Sequence, residues 1–155
     1  MFLCAHCPFV KHIEVGLTDL QRDYWNRVEM VAISSNSLAS HPQDAPKYLT
    51  EQAHKNGWMF PYLFDQHQSL AKALRAACTP DFFLFSSIGD DCLKKLKYRG
   101  QLDGSRPGND QPVTGKDLRA ALDAVLLGQI VSSDQKPSIG CNIKWDSAQE
   151  PAWFR

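Results

Sequence analysis

The chain has 155 residues, a length that suits one domain with a single core and is short for two. Lys plus Arg equals Asp plus Glu at 17 each, so the basic excess that marks nucleic-acid binding is missing and no nucleic-acid partner is expected. Hydrophobic residues make up 43% of the chain, which excludes a disordered protein.

Membrane insertion and secretion are not predicted. No apolar run approaches the roughly 18 residues that a span needs, and the first residues lack the charged and apolar segments of a signal peptide. Five cysteines, an odd number, suit a reducing compartment better than a secreted disulfide framework. The sequence therefore predicts a soluble cytoplasmic protein with no membrane partner.

The first half of the chain alternates helices and strands. Pro8 suits the first position of a helix, and the apolar residues after it recur at helical spacing. Gly57 is placed to cap the C-terminus of a later helix. These signals predict a helix at 8–25, a buried strand at 28–33, a loop and helix at 42–56, a short strand at 62–65 and a helix at 69–77.

The second half is predicted as a strand hairpin, a long loop, a helix and a tail. "DFFLF" is a β-prone run, and "SSIGDDC" predicts the turn into a second strand, "LKKLKYRG". Residues 99–113 form a polar loop whose charges either bind a substrate or, as we favour, hold the loop together. Thr114 is a candidate cap for the helix over 115–129, and residues 129–155 are predicted to pack as a tail on a single domain, 1–155.

Two cysteines stand three residues apart where a short strand meets the first helix. The backbone N–H groups and dipole of a helix start favour a thiolate there. Cys4, just before the helix, is expected to be accessible and to attack, while Cys7 closes the disulfide. His6 between them adds positive charge near Cys4 when it is protonated.

Two other interpretations of this pair stay open. A structural zinc site could be assembled from Cys4, Cys7, Cys78 and Cys141, and the cysteines could also be buried thiols without a function. The chain has no second C-x-x-C and no H-x-x-x-H to complete a zinc site at the usual spacing. The redox interpretation is therefore favoured, and no metal ligands are assigned.

Five blocks in order resemble the redoxins of the alkyl hydroperoxide reductase and thiol-specific antioxidant family, in the branch with a Cys-x-His-Cys-Pro motif. The blocks are "CAHCPFVKH", "CTPDFFLF", "YRGQLDGSRPGND", "PVTGKDLRAALDAVL" and "PSIGCNIKW", and they extend from residue 2 to about 154. The resemblance implies an α/β, thioredoxin-like fold, with a central mixed sheet flanked by helices. It also implies thiol–disulfide oxidoreductase or antioxidant activity.

The resemblance places Cys4 and Cys7 at the redox motif and Thr79–Pro80 at a cis-proline loop facing them. Substrate would then contact His6, Thr79 and Pro80. The expected substrate is a disulfide-containing protein, a small thiol or a peroxide, and the expected reductant is a thioredoxin-type thiol donor. No flavin, haem or nicotinamide motif is present, so no cofactor is expected.

Two alternative functions remain on the same scaffold. A peroxiredoxin-like thiol peroxidase would carry Thr-x-x-Cys, but Cys4 takes the place of that Thr and no matching Arg is evident near Cys7. The other alternative is an inactive binding module with a thioredoxin fold and structural zinc.

Only three residues precede Cys4, so the central strand is expected to be truncated and to leave a gap in the sheet.

The remaining cysteines lie far along the chain. Cys78 is two residues before Pro80, and Cys141 lies in the last block. They are predicted either to form a second disulfide or to stay as two buried thiols, since the sequence gives no distance between them. Cys92, near the hairpin turn, is expected to be a plain thiol.

Overall fold

A computed structural model describes residues 1–88 and 91–154, without the side chains of residues 88 and 91–93. This part of the chain has a mixed α/β architecture with four α-helices and six short strands. The helices are α1 (Pro8–Tyr24), α2 (Pro46–Asn56), α3 (Ser69–Leu74) and α4 (Lys116–Leu126). The strands are β1 (Ala32–Ser34), β2 (Tyr62–Phe64), β3 (Cys78–Thr79), β4 (Phe82–Ile88), β5 (Asp91–Gly100) and β6 (Cys141–Asn142).

The strands pair two by two, and the start of the chain bridges β1 to Asp81, the residue just before β4. β1 is parallel to β2, while β3 is antiparallel to β6 and β4 to β5. Phe2 forms a parallel bridge to Ile33 and an antiparallel bridge to Asp81. The expected gap is therefore wrong for this position, because the buried Phe2 has backbone partners on both sides.

The core forms between α1, α4 and the β4–β5 hairpin. The predicted inner face of α1 is confirmed, since all four of its apolar residues are buried: Val10, Ile13, Leu17 and Leu20. They share one cluster with Phe82, Tyr98 and Leu118. Each large apolar side chain that is fully buried stabilises the fold by about 1.5–3 kcal/mol, so this cluster holds α1 firmly in place.

Several predicted boundaries shift because of tertiary pairing and local backbone conformation. Strand β1 begins at Ala32 rather than at residue 28, because the residues that pair with β2 and with Phe2 start only there. Helix α3 ends at Leu74, since Arg75 adopts a left-handed conformation with φ 55°. The predicted cap at Gly57 is confirmed, with φ 64°.

The predicted Thr114 cap is wrong in its details. The N-cap position of α4 is Gly115, with φ 69°, and the Thr114 hydroxyl accepts a hydrogen bond from the Lys116 N–H at 3.3 Å. The carboxylate that organises this helix start belongs to Asp103 in the preceding loop. It accepts the N–H groups of Thr114 and Gly115 at 2.7 and 2.6 Å, which gives this loop residue a structural role.

The C-terminal segment packs over the loop that follows β1. The Ser37 N–H donates to the Lys144 carbonyl at 2.7 Å, and the Lys144 N–H donates to the Asn36 side chain at 2.9 Å. Trp145 is buried and makes edge contacts with Trp153 and Phe154. Strand β6, which comes just before this segment, pairs with β3. None of the helices in the described residues is long and apolar enough to cross a membrane.

Candidate functional site

Cys4, Cys7 and Thr79 meet where the first loop approaches β3. The Phe2–Asp81 bridge brings these two parts of the chain together. Cys4 Sγ lies 3.2 Å from the Thr79 hydroxyl, and Cys7 Sγ lies 3.3 Å from the Thr79 carbonyl oxygen. The Thr79–Pro80 peptide bond is cis, as the family resemblance implies. The structure therefore brings together the two cysteines and the Thr-Pro pair named from sequence.

The expected accessibility of Cys4 is wrong. Cys4 and Cys7 are both 0% exposed. Thr79 covers Cys4 on one side, and the Gln52 amide approaches the Cys4 carbonyl at 3.5 Å on another. The sequence places Cys4 at the end of a strand, but that strand end lies under residues from distant parts of the chain.

Cys7 is the cysteine whose thiolate is favoured. It occupies the N-cap of α1, where helix N–H groups and the dipole stabilise negative charge. Hydrogen bonding from the Cys4 thiol lowers the pKa of Cys7 to about 4, with further help from the Cys141 thiol and from the Val10 and Cys141 N–H groups. These donors outweigh burial, which by itself raises the pKa of a thiol.

Cys4 has the opposite protonation preference. Its hydrogen bond to Cys7, its burial and the nearby Asp44 charge all raise the pKa of Cys4 above its ordinary value. The pair therefore favours one arrangement of charge, in which Cys4 keeps its proton and donates to the Cys7 thiolate. The expected ionisation is reversed, since the sequence assigns the attacking thiolate to Cys4.

Asp44 is a site residue that the sequence analysis missed. It is 0% exposed, and it accepts the N–H groups of Ala5 and His6 on Oδ1 at 2.9 and 3.2 Å. Its Oδ2 contacts the His6 ring at 2.6 Å and accepts the Asn36 amide at 2.8 Å. The carboxylate thus fixes the loop between the two cysteines. No local pattern marks Asp44, because its partners lie up to 39 residues away.

His6 faces this carboxylate. Its ring also lies 5.0 Å from the His41 ring, measured between centroids. Together with Lys11, Tyr48 and Lys55, it lines a surface depression of about 300 Å³ next to the cysteine loop. His6 is therefore at a surface that a substrate can reach, whereas Thr79 and Pro80, the other predicted contacts, are buried.

The zinc interpretation has a different donor set from the one predicted. In the part of the chain that the structure describes, Cys4, His6 and Asp44 place possible ligand atoms within 4.8 Å of one another. Both oxygens of Asp44 already have two hydrogen-bond contacts each, so its ordinary acceptor capacity is filled. This group fits a hydrogen-bonded cap on the loop better than a metal centre.

Cys141 lies against Cys7 and not against Cys78. Thr79 is paired with Cys141, and Cys78 with Asn142, so Cys78 and Cys141 lie on opposite faces of this two-stranded ladder. The Sγ atoms of Cys7 and Cys141 are 2.7 Å apart. All four cysteines whose side chains are described are free, so the Cys78–Cys141 disulfide, one of the two alternatives left open by the sequence, is not formed.

Cys78 is a buried thiol behind the site. Its Sγ approaches the Pro80 carbonyl at 3.7 Å, and burial raises the pKa of Cys78 to about 12. It therefore stays protonated near neutral pH. The prediction for Cys92 falls outside the side chains that the structure describes.

Two solved structures of bacterial proteins are similar to this chain. The crystal structure of an uncharacterized conserved protein from Geobacillus kaustophilus has 52% sequence identity and a TM-score of 0.88, covering 96% of this chain and 76% of that chain. A hypothetical protein from Sinorhizobium meliloti 1021 has 47% identity and a TM-score of 0.88, covering 95% of this chain and 78% of that chain. The chain belongs to the same protein family as these two. No protein-family model and no curated protein matches it.

Proposed function

We propose that this protein is a thiol–disulfide oxidoreductase with a thioredoxin-like fold, a redoxin of the alkyl hydroperoxide reductase and thiol-specific antioxidant type. The observation that carries the proposal is the C-x-x-C pair at the start of α1, with both sulfur atoms in contact with Thr79 of the cis Thr79–Pro80 pair. The lowered pKa of Cys7 supports it. A C-x-x-C pair with one stabilised thiolate is the arrangement that thiol exchange requires.

The surroundings of the pair support the proposal. Thr79 contacts both sulfur atoms, and the cis Thr79–Pro80 bond stands where the family resemblance puts the proline loop. The order of paired segments, with Phe2 between Ile33 and Asp81, fits a central strand that ends at the cysteine motif. The depression beside His6 offers a surface for the disulfide substrate or its polypeptide.

The chemistry interconverts a dithiol and a disulfide. When Cys4 and Cys7 form their disulfide, they lose two electrons and two protons, which reduce a partner disulfide to two thiols. Cys7 supplies the sulfur that is already ionised, and Cys4 gives up its proton as the second bond forms. A thioredoxin-type dithiol then restores the reduced pair and is itself oxidised.

Reduction of insulin by dithiothreitol, followed by turbidity, tests the proposal. The parent protein is expected to accelerate precipitation, while Cys7→Ser and Cys4→Ser each abolish the acceleration. Cys78→Ser is the matched control, because this thiol is also buried but stays protonated, and it should retain the parent rate. A Cys7→Ser protein as active as the parent would overturn the proposal.

A thiol peroxidase is a second candidate, and the low pKa of Cys7 favours it. In this reaction the Cys7 thiolate attacks a peroxide oxygen, the O–O bond breaks, and sulfenic acid and an alcohol or water result. A neighbouring thiol then condenses with the sulfenic acid and releases water. Stopped-flow mixing with hydrogen peroxide separates the candidates, since a Cys7 that reacts only as slowly as a free thiol excludes the peroxidase.

A further inference from the structure

Cys141 lies next to Cys7, although exchange between a dithiol and a disulfide at Cys4 and Cys7 does not need a third cysteine. Its Sγ is 2.7 Å from Cys7 Sγ, compared with about 2.05 Å in a disulfide bond. The β3–β6 pairing sets this position by placing Cys141 opposite Thr79. A small side-chain movement therefore suffices to join Cys7 to Cys141.

Gly140 makes this approach possible. A Cβ atom at residue 140 would lie 2.0 Å from the Thr79 carbonyl oxygen and 2.6 Å from the Thr79 carbonyl carbon. These are backbone atoms, so they cannot rotate out of the way as a side chain can. Only a residue without a side chain lets the segment before Cys141 lie this close to Thr79 and hence to Cys7.

Exposure distinguishes Cys141 from the other cysteines. Among those whose side chains are described, Cys4, Cys7 and Cys78 are buried, and Cys141 is partly exposed. A thiol reductant in solution must touch a sulfur atom in order to exchange with it. Of these four residues, Cys141 is the one that it meets at the surface.

We propose that Cys141 is a third redox residue, which forms a disulfide with Cys7 and is the sulfur atom that an external thiol reductant attacks. This inference rests on the proposed oxidoreductase function and adds the route by which electrons enter the buried pair. Cys7 then exchanges between two partners, Cys4 on the inside and Cys141 on the outside.

The first step is internal. With Cys4 and Cys7 joined as a disulfide, Cys141 Sγ attacks Cys7 Sγ, so the Cys7–Cys141 bond forms and the Cys4–Cys7 bond breaks. The proton that leaves Cys141 passes to Cys4. The step is possible in this geometry because Cys141 Sγ already lies 2.7 Å from Cys7 Sγ.

The second step takes electrons from solution. One thiolate of an external dithiol attacks the Sγ of the partly exposed Cys141, and Cys7 leaves as a thiolate. Cys7 is a good leaving group, because a thiol of low pKa is expelled faster. The reductant is now joined to Cys141 in a mixed disulfide. Its second thiol attacks the reductant sulfur of that bond and releases Cys141. One dithiol has become a disulfide, and Cys7 and Cys141 are reduced.

Disulfide mapping in the Cys4→Ser protein tests the pairing directly. Diamide takes two electrons from the thiols, free cysteines are alkylated, and peptides are identified by mass spectrometry. The expected product is a Cys7–Cys141 disulfide with Cys78 alkylated. Its absence, with Cys7 and Cys141 both alkylated, overturns the inference. Gly140→Ala in the same background keeps every remaining thiol, and it is expected to lower the yield of the disulfide.

A short exposure of the oxidised Cys4→Ser protein to reduced glutathione tests the point of entry. The glutathione adduct is expected on Cys141, and an adduct on Cys7 would overturn the assignment of Cys141 as the attacked sulfur. In the reduction of the oxidised proteins by dithiothreitol, followed without insulin, Cys141→Ser is expected to react roughly tenfold or more slowly than the parent, because the reductant must then wait for local opening to reach a buried disulfide. Cys78→Ser is again the control.

The outcomes separate this inference from the proposed function. If the parent protein reduces insulin, and oxidised Cys141→Ser is reduced by dithiothreitol as fast as oxidised Cys78→Ser, the inference fails and the oxidoreductase function stands. If the Cys7–Cys141 disulfide forms with glutathione entering at Cys141, and the parent protein does not reduce insulin, the third redox residue stands and the proposed function fails.

Discussion

The first turn of α1 and strand β3 each hold a buried cysteine, and the two thiols behave in opposite ways. The pKa of Cys7 falls to about 4, while the pKa of Cys78 rises to about 12. Neither side chain is accessible to any large extent. Burial alone therefore does not decide how a cysteine ionises in this protein.

The difference lies in the hydrogen-bond donors. Cys7 receives thiol donors from Cys4 and Cys141 and backbone N–H groups at a helix start. Cys7 also lies 3.3 Å from the Thr79 carbonyl oxygen, which only accepts, so its donors act against both this acceptor and burial. The pKa of Cys78 is raised by burial first and then by the charge of Asp81, and its Sγ approaches the Pro80 carbonyl. A buried thiolate is therefore stabilised only where enough donors reach it.

Thiolate absorbance in the far ultraviolet gives the most direct test of this contrast. The folded parent protein is expected to show an absorbance step near pH 4 from Cys7, and Cys7→Ser should remove the entire step. Cys78→Ser should leave that step unchanged, since Cys78 ionises only near pH 12. A step that persists in Cys7→Ser would contradict the contrast.

The pH dependence of stability tests the same shift by another route. The pKa of Cys7 is lower in the folded than in the unfolded chain, so the unfolded chain binds more protons between about pH 4 and about 8.5. The parent protein should therefore gain stability relative to Cys7→Ser as pH rises through this window. The gain is at most about 1.4 kcal/mol per pH unit.

Urea unfolding of both proteins at several pH values measures this difference. Cys4 does not add to it below about pH 8.5, because it is protonated in both states there. If the two proteins keep a constant difference in unfolding free energy across the window, Cys7 is not ionised in the folded protein.

Asp44→Asn extends the comparison to Cys4. The substitution replaces one carboxylate oxygen with an NH₂ group, which donates hydrogen bonds and cannot accept them. Depending on the orientation of the amide, this group faces either the Ala5 and His6 N–H groups or the side chains of His6 and Asn36. The expected loss of unfolding free energy is about 1–3 kcal/mol. The pKa of Cys4 should also fall, because the Asp44 charge is one of the causes that raise it.

Asp110→Asn is the matched control, since Asp110 is exposed in the loop before α4 and should change neither quantity. Urea unfolding gives the stability, and the thiolate absorbance of the folded proteins at alkaline pH gives the direction of the change in the pKa of Cys4. Equal stability of the two Asn variants would show that Asp44 does not hold the cysteine loop.

Local signals in the sequence predict much of the fold. Pro8 and the spacing of the apolar residues after it predict the bounds of α1 to within one residue, and Gly57 predicts where α2 ends. The β4–β5 hairpin strands also follow from their composition. Such features depend on residues within one turn or one strand, and a single sequence carries that information.

The candidate site depends on longer contacts, and there the sequence is less informative. The C-x-x-C motif is visible, but which of its sulfurs ionises depends on Thr79, Asp44 and Cys141, which come from three distant segments. The exposure of Cys4 was predicted wrongly for the same reason. The sequence also leaves open whether Cys141 pairs with Cys78, because it gives no indication of which face of a two-residue strand each thiol occupies.

The contact between Cys7 and Cys141 spans 134 residues, nearly the whole chain. During synthesis the first two cysteines leave the ribosome long before the Gly140 segment exists. A nascent chain, or a fragment clipped before residue 140, carries the complete C-x-x-C motif but lacks the Cys141 thiol and N–H that help to ionise Cys7. Cys7 in such a fragment lacks these two donors, so its pKa is expected to be higher than in the folded chain.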